Sequence, residues 1–157
     1  MAINWPEGSQ NFPSWNHQQV YRSTPVVVSN TSTWNDCGLS ISNITIQQTD
    51  PTIYYWIDLS IEVDGEGTGH GITKVLYSIN NGSWTTHQVF NTTGQANDSI
   101  STGHSSYHSP SVNTGGTIKY KVEYLRNGSG GSNHTIADTG PGYSPIARFM
   151  VVELENN

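Results

Sequence analysis

Apolar and polar residues alternate strictly along Thr52–Val63. Ile53, Tyr55, Ile57, Leu59, Ile61 and Val63 fall on one side of a period of two, and Tyr54, Trp56, Asp58, Ser60 and Glu62 on the other. That is the pattern of a strand with one face in a core. Val20–Val28 also reads as extended, with Pro25 marking an edge or a bulge. Leu39–Gln48 is rich in β-formers, and Asn43 interrupts its alternation. Ile72–Ile79 and Trp84–Phe90 flank the tetrapeptide NNGS, so the sequence predicts a hairpin whose Asn-Gly centre takes positive φ. Beyond residues 92–98 the pattern weakens through SISTGHSSYHSPSVN. Thr117–Leu125 restores it, RNGSGGS makes a turn, and His134–Ala137 is a further short strand. Ile146–Leu154 is almost continuously apolar, which predicts burial on both faces. No helix is needed. The expected fold is all-β: an antiparallel, jelly-roll-like β-sandwich of eight or nine strands over residues 20–157.

Residues 1–19 differ. They hold Pro6 and Pro13, no periodicity, and three large aromatics, Trp5, Phe12 and Trp15. They read as an extended arm that either caps the core edge or anchors the domain to another protein. The apolar second face of the last strand needs a cover of its own. The expectation is a homotrimer in which Ile146, Phe149, Met150, Val152 and Leu154 pack between subunits.

Composition narrows the function. Ser, Thr and Asn number 19, 17 and 15 in 157 residues, while only 11% are charged. Net charge is −6, with six Lys and Arg scattered along the chain. No basic stripe is available for phosphates, so nucleic-acid binding is not expected. No apolar run is long enough for a membrane span, and the first residues do not form a secretory signal. A lone Cys37 allows no internal disulfide.

Catalytic chemistry finds little to stand on. No nucleophile elbow, Walker loop or zinc-protease motif occurs. The glycines of GEGTGHG precede a strand rather than a helix, so they read as a turn. Glu62, Asp64 and Glu66 fit calcium or a glycosidase acid pair less well than a solvated acidic loop. His104 and His108 share a face if extended but read as loop histidines, and Cys37 reads as a buried thiol. No metal, cofactor or enzymatic activity is expected. Seven Asn-x-Ser/Thr sequons follow from turn chemistry. Trp34 and Trp84 lie beside turns, where an exposed indole can stack on a sugar, so a carbohydrate-binding module or adhesin is the alternative function.

GGTIKYKVEYLRNGSGGSNHTIAD followed by GYSPIARFMVVELE resembles the C-terminal pattern of tailed-bacteriophage fibre and virion-surface modules. The features are Gly116–Thr117, Tyr120–Val122, the turn Asn127–Ser132, Thr135–Ala137 and Met150–Glu153. VLYSINNGSWTTH resembles the hairpin-plus-Trp unit of the same modules. The resemblance implies a jelly roll related to complement/tumour-necrosis-factor-like trimers, with the last strand near the three-fold axis. It further implies a virion protein made in the host cytoplasm. Its partners would be copies of itself, other virion proteins such as capsid, portal or tail, and a host surface glycan. Without shaft or collagen-like repeats, the expected role is head decoration, a short fibre or a tail-tip module.

Overall fold

A computed structural model describes residues 17–29, 33–64, 69–94, 99–127, 133–137 and 147–154. These form ten strands and no helix. They are β1 (His17–Arg22), β2 (Val26–Val28), β3 (Asn35–Thr45), β4 (Thr52–Asp64) and β5 (Gly69–Ile79), then β6 (Thr85–Gly94), β7 (Ser99–His108), β8 (Thr117–Arg126), β9 (Asn133–Ile136) and β10 (Ala147–Leu154).

The antiparallel pairs nest: β1 with β10, β3 with β8, β4 with β7, and β5 with β6. The chain thus winds as one long folded ribbon, which is the jelly-roll arrangement. One sheet runs β1-β10-β4-β7, and β9 with β2 extends it along the remaining half of β4. The other runs β3-β8-β5-β6. The fold is therefore the all-β, antiparallel sandwich that the alternation predicts.

Alternation also decides the core. The Ile53–Val63 series on β4 is fully buried, as are Phe149 and Val151 on β10 and Ile118, Tyr120 and Val122 on β8. Tyr55, Tyr120 and Phe149 meet across the two sheets at centroid separations of 6.3–6.5 Å, within the range where tilted aromatic pairs attract.

Irregularities fall at legible points. The β3–β8 register shifts between Ile41 and Ile44, around the expected break at Asn43. A second shift follows Asp36, where Gly38 has φ +68° and lies against the Arg22 side chain. Chain pairing lapses between β1 and β2, at Ser23–Pro25. The β5–β6 turn is centred one residue earlier than Asn-Gly. Asn80 and Asn81 hold φ of 48° and 60°, and the Gly82 N–H donates to the Ile79 carbonyl at 2.8 Å.

Three expectations need correction. β7 is a full strand where the sequence pattern fades. Ten consecutive residues pair with β4, although Ser, Thr, Gly and His give no apolar period. β1 starts at His17, so residues 17–19 belong to the sandwich rather than to the arm. Their polar side chains hide a backbone that pairs with Met150–Val152. Finally, Phe149 does not face a neighbouring subunit, because the second sheet of its own chain covers it completely. Trp5, Phe12, Trp15, Glu66 and Ile146 lie outside the described residues.

Candidate functional site

The outer face of the first sheet is built by register. Cross-strand partners in an antiparallel pair share a face, so three rows cross β1, β10, β4 and β7. They are Tyr21–Arg148–Asp58–Gly103, Gln19–Met150–Trp56–Ser105 and His17–Val152–Tyr54–Tyr107. Tyr21, Trp56 and Tyr107 are 54%, 39% and 61% exposed, three of the six exposed large apolar side chains among the described residues. Tyr54 and Tyr107 pack at 5.3 Å. Met150, Val152 and Leu154 are half-buried beside them.

An ion pair fixes the centre. Arg148 Nε donates to Asp58 Oδ2 at 3.0 Å, and Nη2 donates to the same oxygen. The guanidinium also covers Trp56, 4.8 Å from its ring centroid. Hydrogen bonding to Asp58, with a smaller contribution from Tyr21, raises the Arg148 pKa further. The cation is permanent. It holds the indole and the carboxylate in place from one side.

The other side is open because residue 103 is glycine. A Cβ there would sit 3.3 Å from Asp58 Oδ1 and 3.5 Å from Trp56 Nε1. Neither atom has a hydrogen-bond partner among the described residues. An acceptor and a donor therefore flank the space above the exposed Gly103, a notch only in the sense that no side chain stands there, beside an exposed aromatic ring. A hydroxyl both accepts and donates, so an alcohol oxygen in the notch can satisfy both atoms.

The sequence-predicted sugar contacts lie elsewhere. Trp34 and Trp84 stand at the outer face of the second sheet. Lys74 Nζ is 4.1 Å from the Trp34 ring centroid, and Trp34 is half-buried. Trp84 is 39% exposed and carries Lys119 and Lys121 at 5.1 and 5.0 Å. Sequence reasoning missed Trp56 as a contact, although its outward position on the best-patterned strand was readable. Gly103 had no signal, because its importance comes from the Asp58 register.

His104 and His108 do share a face of β7, directed between the sheets. His104 stacks on Phe90 at 4.5 Å. His108 lies 4.2 Å from His87 and from Tyr77, and its Nδ1 is 2.9 Å from the Tyr120 hydroxyl. His87 is skipped by the β5–β6 register and turned inward, with Nε2 3.1 Å from the Tyr107 carbonyl. Burial lowers all three pKa values, that of His108 to about 4 with a further push from His87. Cys37 is fully buried, and burial followed by the charge of Asp36 drives its thiol pKa far up. Glu62 projects from the outer face of β4, half-buried. Among the described residues no group of three or more His, Cys, Asp or Glu is placed to hold a metal ion, and no helix is long and apolar enough to cross a membrane.

No protein-family model matches the chain, and no curated protein matches it in sequence. Solved structures resemble it weakly. The Eiger TNF of S. frugiperda is similar at TM-score 0.47 and 8% identity, over 91% of this chain and 94% of that one. The infectious bursal disease virus Gx strain structure is similar at TM-score 0.43 and 9% identity, over 87% and 37%. The CBM22-1 and GH10 modules of a Clostridium thermocellum endo-1,4-β-D-xylanase, solved with xylohexaose, are similar at TM-score 0.41 and 11% identity, over 94% and 27%.

Proposed function

We propose that this jelly-roll sandwich is a carbohydrate-binding module rather than an enzyme, and that it binds a neutral glycan on the outer face of its first sheet. The notch over Gly103 carries the reading. Asp58 Oδ1 and Trp56 Nε1 both border it with no partner among the described residues. Sugars present hydroxyls that fill such a notch and C–H faces that pack on Trp56, Tyr21 or Tyr107. A rigid, strand-built platform with a few fixed polar groups suits that ligand, because little ordering is required on binding. Glycan-array screening with Trp56→Ala as control tests it. The expected result is a neutral-sugar ligand whose signal disappears in the variant while the melting temperature holds. Equal signal from both proteins overturns the reading.

A second reading rests on Met150, Val152 and Leu154, which form an apolar row on the same face. Packing of that row between copies gives the trimeric bacteriophage virion-surface protein that the C-terminal resemblance implies. Native mass separates the two. A single-chain mass of 17.2 kDa leaves the platform open, whereas a three-chain mass that falls to one in Val152→Lys puts the row between subunits.

A further inference from the structure

The second sheet carries a different surface. All three lysines of a chain with net charge −6 stand on its outer face: Lys74 on β5, and Lys119 and Lys121 on β8. Trp34 and Trp84 bracket them. The charges are not evenly spread. Glu123 takes ion pairs from Lys74 at 2.8 Å and from Lys121 at 2.6 Å, and Asp36 lies opposite Glu123 in the register. Burial pushes the Glu123 carboxyl up, but hydrogen bonds from Lys121 and Lys74 outweigh it and hold the pKa below its ordinary value. The acidic groups thus sit towards Trp34. At the Trp84 end, Lys119 and Lys121 converge on one indole, and among the described residues Lys119 has no ion pair.

That end is rigid. The Gly82 N–H donates to the Ile79 carbonyl, Ser78 Oγ donates to the Gly82 carbonyl at 2.7 Å, and the Thr117 N–H donates to Asn80 Oδ1 at 2.8 Å. The β5–β6 turn is thereby tied to β8, the strand that supplies both lysines. Lys74 and Lys121 share the single carboxylate of Glu123 while Lys119 adds a further charge, so the edge at Trp84 keeps a positive excess that an anion can approach. The indole beside them offers an apolar face. An inorganic anion makes no use of the indole face, and a neutral sugar can accept hydrogen bonds from the lysines but makes no use of their charge. A sugar ring bearing an acidic group uses both.

We propose that Trp84, Lys119 and Lys121 form a second binding site, on the sheet opposite the Gly103 notch, for an anionic polysaccharide. The proposal does not rest on the first-sheet reading. The test is isothermal titration of the full chain with dextran sulfate, unsulfated dextran and polygalacturonate, in wild type and in Trp84→Ala and Lys119→Gln/Lys121→Gln variants. Dextran sulfate or polygalacturonate should bind with an affinity that falls as salt rises, and dextran should not compete. The stronger of the two acidic probes identifies sulfate or carboxylate as the recognised group. The double lysine variant should weaken binding by about tenfold or more, the loss of roughly one charge-assisted contact. Trp84→Ala should do likewise. Undiminished binding in the lysine variant, or no binding of either acidic polymer by wild type, overturns the proposal. Survival of binding in Trp84→Ala reduces the effect to diffuse charge and overturns it too. Should Trp84→Ala fail to fold, Trp84→Leu removes the aromatic face while keeping an apolar side chain.

Discussion

Two glycines show how one residue type plays opposite parts in this sandwich. At Gly71 an added Cβ would lie 1.7 Å from Tyr124 Oη, and that hydroxyl is 2.8 Å from His134 Nδ1 in the core. Gly71→Ala must displace the ring and break its buried partner. The expected loss is roughly 2–3 kcal/mol of unfolding free energy, measured by urea denaturation. At Gly103 an added Cβ meets two side-chain atoms rather than core or backbone, Asp58 Oδ1 at 3.3 Å and Trp56 Nε1 at 3.5 Å, and a shift of a few tenths of an ångström at this exposed position accommodates it. Gly103→Val suits an extended backbone, so stability should stay within about 1 kcal/mol of wild type. Glycan binding should fall by about tenfold or more, because the alcohol oxygen loses its space. A Gly103→Val protein that binds as well as wild type would place the ligand away from the notch.

Elements bring their own sensitivities, and the turn between β5 and β6 is one. Asn80 tolerates its left-handed φ of 48° and also accepts from the Thr117 N–H. Asn80→Ala loses both, so about 1–2 kcal/mol of stability should disappear. The pairing of edges β6 and β7 is a second. His87, His104 and His108 lie between them with lowered pKa values, facing Tyr55, Tyr77, Phe90 and Tyr120. In the unfolded chain these imidazoles protonate near their ordinary value of 6.5, whereas His108 resists until about 4. Below pH 6.5 the unfolded state therefore binds more protons. Stability is fully present above that value and is lost as pH falls towards 4. The urea midpoint should drop steadily across this window, and His108→Gln should make the decline shallower. The same edges show where sequence reading stops. β4 was legible because Ile53–Val63 alternates without a fault, and its outward Trp56 came with it. β7 was not, because its inner face is filled by His104, Ser106 and His108 rather than by aliphatic side chains. Its order comes from ten backbone pairings with a distant strand. The notch shares that fate, since Asp58 and Gly103 meet only through this register. Phe149 was legible as buried, but only the second sheet shows what buries it.

For the whole molecule, the decisive question is what covers the outer face of the first sheet. Aliphatic side chains there are few. Met150, Val152 and Leu154 are already half-buried within their own sheet, while the centre holds the Arg148–Asp58 ion pair and the open Trp56. Burying that pair against another copy requires stripping water from two charges, a cost that commonly equals or exceeds their attraction. A bound glycan leaves the pair partly wet and adds hydroxyls to Asp58. The expected native mass by light scattering is therefore that of one chain, 17.2 kDa, with glycan binding intact. Val152→Lys supplies the counter-test, since Val152 lies between His17 and Tyr54 in the row next to Trp56. In a monomer an outward lysine at that position changes neither mass nor fold. A wild-type mass near three chains that collapses to one in Val152→Lys would mean that the face is packed between subunits. The notch would then be sealed by a neighbour, and the virion-subunit reading would take the place of the carbohydrate one.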